Sequence, residues 1–118
     1  MKNDIPALCP RFEKAIELLS KRWAALIIYQ LMTGPQRFAH IEQSLPNLSS
    51  KVLSDRLKEL EHEGLIRRDV YPETPVRIEY SLTEKGRALS PLFDDIASWA
   101  TKWIQLPQDT KAAEDLNT

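Results

Sequence analysis

Between Arg11 and Ser20 the apolar residues Phe12, Ala15, Ile16 and Leu19 recur every three to four positions, with Leu18 off the stripe, which predicts an amphipathic helix. After "SKRW", the run "AALIIYQLM" is apolar on nearly every face and reads as a central, buried helix that Gly34-Pro35 stops. "RFAHIEQSL" carries Phe38, Ile41 and Leu45 on one face and ends at Pro46-Asn47. "SSKVLSDRLKELEHEG" sets Leu53, Leu57 and Leu60 in a narrow seam. Ser49 or Ser50 caps its start, and Gly64 suits the position just past its end.

The period then changes from 3.6 to 2. "LIRRDVY" reads as a fair strand and "VRIEYSL" as a clean one, with Val76, Ile78, Tyr80 and Leu82 inward and Arg77, Glu79 and Ser81 outward. "PETP" between them predicts a four-residue turn and so a β-hairpin. Thr83 is placed to cap one long final helix from about Glu84 to Ile104, ahead of a polar tail over 105–118. No repeat, low-complexity tract or long linker divides residues 1–118, which predicts a single domain. Four helices, a hairpin and a helix make a mainly α fold with a small β-hairpin (α+β), in the order of a winged helix-turn-helix.

The formal net charge of −1 changes that picture, because bulk electrostatics do not advertise nucleic-acid binding and the case must rest on where the cations sit. The leucine seam leaves Ser50, Lys51, Ser54, Asp55 and Lys58 away from the core. Ser49, Ser50, Lys51 and Ser54 suit contacts to phosphates or bases, and Arg56 and Lys58 suit phosphates. Asp55 either accepts from a cytosine amino group or anchors Arg56 or Lys51. Arg37, at the entry to the preceding helix, is placed to clamp a phosphate with that helix's N-terminus. Arg77 and "ETP" are placed to enter a minor groove, although Glu73 beside them weakens the attraction. The plainer reading is a solvated helix face beside an ordinary hairpin; the order of the elements favours DNA.

Enzymatic readings find no constellation. His40 and His62 lie far apart among glutamates, Glu59, Glu61 and Glu63 fall on different helix faces, and three glycines build no phosphate-cradling loop. No catalytic residue, cofactor or metal site is expected. One cysteine forms no internal disulfide, no apolar run approaches 18 residues, and "MKNDIPALCP" lacks a signal-peptide core, so a cytoplasmic protein without a membrane partner is expected. That cysteine, Cys9, precedes Pro10 at a helix start. It is either a small buried hydrophobe or a thiol held where the anion is favoured, with Arg11 and Lys14 adding positive potential.

Leu89, Leu92, Phe93, Ile96, Trp99, Ala100 and Trp103 give the final helix a broad apolar face. It either packs on "AALIIYQLM" of its own chain or, together with Phe12 of the first helix, builds a two-fold homodimer.

Cys9-Pro10, Lys21-Arg22-Trp23, "LSDRLKELE" and "YPETPVRIEYSLTEKG", with a tryptophan-bearing last helix, resemble the HxlR family of bacterial transcriptional regulators over residues 8–104. The resemblance implies a dimeric winged-helix repressor that binds an inverted-repeat DNA operator through a recognition helix at 49–62 and a wing at about 71–77. It also implies the branch that senses quinones, diamide or other electrophiles through the thiol at Cys9. Some members of that branch carry further cysteines towards the C-terminus and this chain has none, so Cys9 pairs only with another subunit or a small thiol, or is alkylated. The competing expectation is a winged-helix module that binds protein without sequence-specific DNA binding, with Cys9 structural.

Overall fold

The computed structural model describes residues 9–109. Its elements are α1 (Pro10–Ser20), α2 (Ala24–Leu31), α3 (Phe38–Ser44), α4 (Ser50–His62), β1 (Ile66–Tyr71), β2 (Arg77–Leu82), α5 (Glu84–Arg87) and α6 (Ser90–Trp103). The chain divides between Arg87 and Ala88 into two compact units.

In the first unit α2 supplies Ala24, Ile27, Ile28 and Leu31 to the core, and Ile41, Leu48, Leu53, Leu57, Leu60, Leu65, Ile66 and Leu82 complete it. Each large apolar side chain so removed from water contributes roughly 1.5–3 kcal/mol. The seam of α4 is therefore the anchor of that helix. Leu26 and Tyr29 on the other side of α2 are exposed, so the helix is buried on one face and not all round.

Local chemistry sets the ends of α4. Ser49 is its N-cap and accepts from the Val52 amide at 3.1 Å. Gly64, at φ 77°, turns the chain out while its amide donates to Glu61 O and the Leu65 amide to Leu60 O, at 3.0 and 2.9 Å. Leu60 and Leu65 are both buried, which completes a Schellman ending.

The hairpin is antiparallel, in register from Ile66↔Leu82 to Tyr71↔Arg77. Gln36 forms a bridge to Tyr80, with both backbone bonds made at 2.8–2.9 Å, so the row Gln36–Tyr80–Arg68 crosses three chain segments. Gln36 is also buried, and its amide group donates to Gln30 O and Thr33 Oγ1. Neither feature carries a signal in the hydrophobic pattern.

Three expectations are corrected. The loop of the wing spans 72–76, and Val76, expected inward, lies in it at 59% exposure, beyond the paired strand. Ser81, expected outward, is buried, because the core end of the strand is enclosed on both faces. The long final helix is two: Pro91 has no amide to give Arg87 O and its ring would clash with that carbonyl, so α5 ends at Arg87 and Pro91 serves in the first turn of α6. Thr83 does cap α5, its hydroxyl accepting from the Gly86 amide at 3.1 Å and donating to Gly64 O at 2.6 Å.

In the second unit Phe93 is 6% exposed, whereas Leu92, Ile96, Trp99 and Trp103 stand open to solvent, Trp103 at 64%. No helix among the described residues is long and apolar enough to cross a membrane.

Candidate functional site

The first turn of α4 presents the polar residues singled out from sequence. Ser49 and Ser50 are exposed, with the Ser49 hydroxyl engaged in the cap and the Ser50 hydroxyl donating to the Glu42 carboxylate of α3. Lys51 Nζ lies 3.3 Å from Asp55, which settles that carboxylate's partner, yet the lysine side chain is 83% exposed. A surface pair of this spacing contributes only about 0.3–0.5 kcal/mol. A phosphate therefore competes readily for Lys51. Ser54 and Lys58 follow along the helix towards the hairpin, and Arg37 is the exposed N-cap of α3.

Two residues expected to bind DNA have partners within the chain. Arg56 Nε donates to Arg22 O at 2.9 Å, and its Nη1 reaches both Glu59 oxygens at 3.3 Å. Its guanidinium is thus engaged with the turn between α1 and α2 and with Glu59. Arg77, expected to enter a minor groove, is held by Glu73 and Glu79, each at 2.7 Å, and stacks 3.9 Å from the Tyr71 ring centre with its side chain only 25% exposed. The cause is cross-strand register, since Tyr71 and Arg77 are partners and Asp69 and Glu79 come next on the same outer face. The hydrogen bond from Arg77 is the main reason that the Glu73 carboxyl sits below its ordinary pKa, and the glutamates raise that of Arg77. Two carboxylates on one guanidinium leave the wing tip net negative.

The Lys21-Arg22-Trp23 turn acquires a physical role. Lys21 pairs with Glu59 at 2.9 Å, Arg22 offers its carbonyl to Arg56, and the Arg22 guanidinium lies 5.2 Å from the Trp23 ring centre. Trp23 itself takes a left-handed backbone, φ 77°, which costs a non-glycine residue about 1–2 kcal/mol and reverses the chain into α2. Lys14 adds a pair with Glu63 at 3.6 Å. Helix α1 is thereby tied to α4 along a cleft of about 380 Å³.

Cys9 stands at the N-cap of α1, exposed, with Pro10 in the first turn. The backbone amide of Phe12, and after it that of Arg11, lower its thiol pKa against an opposing cost of desolvation, and the Arg11 side chain adds a lesser lowering. The thiol is thus held where the anion is favoured. Among the residues expected at an interface between subunits, Phe12, Leu92, Ile96, Trp99 and Trp103 are exposed and Leu89 is half-buried, but Phe93 is already buried in the single chain.

Residues 18–108 match the model of the HxlR-like helix-turn-helix family. The chain is 67% identical over 97 residues to the HTH-type transcriptional regulator YvaP of Bacillus subtilis, covering 82% of this chain and 90% of that one. It is 47% identical over 108 residues to the HTH-type transcriptional regulator YodB of Bacillus subtilis, covering 92% and 96%. The reduced form of YodB superposes with a TM-score of 0.75 at 48% identity, over 83% of this chain and 96% of that one. Its quinone-bound form superposes with a TM-score of 0.71 at 44% identity, over 80% and 100%. A diamide-treated form gives 0.70 at 47% identity, over 85% and 99%. With a winged helix-turn-helix and this degree of likeness, the chain belongs to the HxlR family of helix-turn-helix transcriptional regulators, which are not enzymes.

Proposed function

We propose that this regulator is a homodimeric repressor that binds an inverted-repeat operator and leaves it when Cys9 is alkylated or oxidised. The observation that carries the reading is the exposed Cys9 thiol, its pKa lowered, on a helix tied to α4 by Lys14–Glu63 and Lys21–Glu59. The quinone-bound and diamide-treated structures of YodB support the same class of signal.

Addition of the Cys9 thiolate to a quinone ring forms one S–C bond, and solvent returns a proton to give the thioether hydroquinone, with no further oxidant. Diamide takes two electrons and two protons from two thiols, leaving a disulfide between the Cys9 residues of two chains and a hydrazine. Either product displaces the start of α1, and the ion pairs pass that displacement to α4. In a two-fold dimer the recognition helices must match half-sites about 34–36 Å apart, so a small tilt costs affinity. Ser49, Ser50, Lys51, Ser54, Lys58 and Arg37 form the DNA face, and Phe12 with the open residues of α6 form the subunit interface.

The test is a mobility-shift titration of the protein against its own promoter DNA, with and without a quinone or diamide. Tight binding that either reagent releases is expected. Absence of binding to that DNA would favour a module that docks protein instead.

A further inference from the structure

The inner face of the hairpin runs outward from the core as Ile66/Leu82, then Arg68/Tyr80, then Val70/Ile78. The middle row stands over α4, where Arg68 and Tyr80 with Ser54, Leu57, Lys58 and Glu61 line a groove of about 330 Å³. Arg68 did not stand out from sequence, because a strand reading without facing gives no reason to separate it from Arg67. Alternation from the buried Ile66 does separate them. Arg67 lies on the outer face, 3.0 Å from Asp69, and Arg68 turns to the groove.

Near the expected DNA face several cations have partners within the chain: Lys51 has Asp55 in a weak exposed pair, Arg67 has Asp69, and Arg77 has Glu73 and Glu79. The side chains of Lys58 and Arg68 make no hydrogen bond or ion pair among the described residues, and both residues are exposed. Two free cations thus flank one groove in a chain whose net charge is −1.

A helix in the major groove and a hairpin over the neighbouring minor groove are separated by a single phosphate strand. That strand has to pass between α4 and the wing. We infer that the groove between α4 and β1 seats a DNA backbone phosphate, held by Arg68 from the strand and Lys58 from the helix, with the Ser54 hydroxyl as a third donor. The inference rests on the DNA-binding reading and adds the seat to it. Arg68 is well suited to the task, since its strand is held by β2, itself bridged to Gln36, and backbone contacts from rigid positions set register. Glu61, on the same groove, opposes the phosphate and limits the affinity.

The experiment measures affinity of the full chain for its promoter DNA and for unrelated DNA between roughly 50 and 200 mM salt. Arg68→Gln and Lys58→Gln are each expected to weaken binding about fivefold on both DNAs and to lower the slope of log K against log salt by about 1. Glu61→Gln is expected to tighten binding, and Arg68→Lys to retain most of it. Thermal melting should not move for Arg68→Gln, which removes no bond. If Arg68→Gln and Lys58→Gln keep wild-type affinity and slope while the wild type still prefers its operator, the seat is overturned and the regulator reading stands. If inorganic phosphate displaces DNA more than chloride at equal ionic strength, and does so only while Arg68 is present, the groove is a small-anion site and the inference also fails. If the wild type binds no DNA in a salt-dependent way, both readings fall together.

Discussion

Arg56 and Arg22 are separated by 34 residues, and Arg56 Nε donates to the Arg22 carbonyl oxygen at 2.9 Å. The most deeply placed cation of α4 is therefore a latch on the turn between α1 and α2. Arg56→Ala leaves that carbonyl without its donor and Glu59 with Lys21 alone, a loss of about 1–2 kcal/mol. A melting temperature several degrees lower is expected, together with a DNA salt slope close to wild type. Unchanged melting with a reduced slope would put Arg56 back among the phosphate ligands.

The wing makes the opposite prediction. Glu73→Gln removes one of the two carboxylates that hold Arg77, so the tip loses its net negative charge. Affinity for DNA should rise and its dependence on salt should steepen. Binding that weakens instead would mean that the Glu73–Arg77 bond itself shapes the wing for its groove.

For the thiol, the sign follows from the lowered pKa. A thiolate favoured by the Phe12 and Arg11 amides persists to lower pH, so the alkylation rate of Cys9 should reach half its plateau below the roughly 8.5 of a free cysteine and fall as acid protonates it. Cys9→Ser keeps a good helix cap and should bind DNA as the wild type does. It should not be released by quinone or diamide. A rate profile centred at or above the free-thiol value, or release of the serine variant, would move the signal elsewhere.

Assembly is read from open apolar side chains. Phe12 and Ile16 on α1, and Leu92, Ile96, Trp99 and Trp103 on α6, are all more than two-fifths exposed. Large open apolar surface usually marks an interface. Ile96→Glu should shift a dimer to monomer in analytical ultracentrifugation at micromolar concentration and weaken operator binding with it. A wild-type monomer under those conditions would remove the two-fold model.

Gly86 tests the joint between hairpin and α5. A Cβ there would clash with the backbone oxygen of Leu65, and that oxygen already accepts from the Thr83 amide at 3.1 Å. Gly86→Ala should cost about 1–3 kcal/mol, as forced overpacking generally does. A variant that melts like the wild type would show that the joint relaxes freely.

The sequence by itself determined the features whose cause lies within a turn or two of chain. The seam of Leu53, Leu57 and Leu60, the cap at Ser49, the exit at Gly64, the alternation through Ile78, Tyr80 and Leu82, and Cys9 ahead of Pro10 all follow from local spacing, and all stand where that spacing puts them. Even the break before α6 was legible in Pro91, but the apolar period running through it outweighed the punctuation. Tertiary structure decided what each arginine meets where the partner is remote or the facing matters. Arg56, Arg77 and Arg68 are the same residue type in the same linear neighbourhood. One meets a carbonyl from 34 residues away, one is enclosed by Glu73, Glu79 and Tyr71, and one faces an open groove. Period, capping and the pairs Lys51–Asp55, Arg67–Asp69 and Arg77–Glu73 are set within four residues of chain, whereas the Arg22 carbonyl that receives Arg56 and the groove beside Arg68 exist only once the chain has folded.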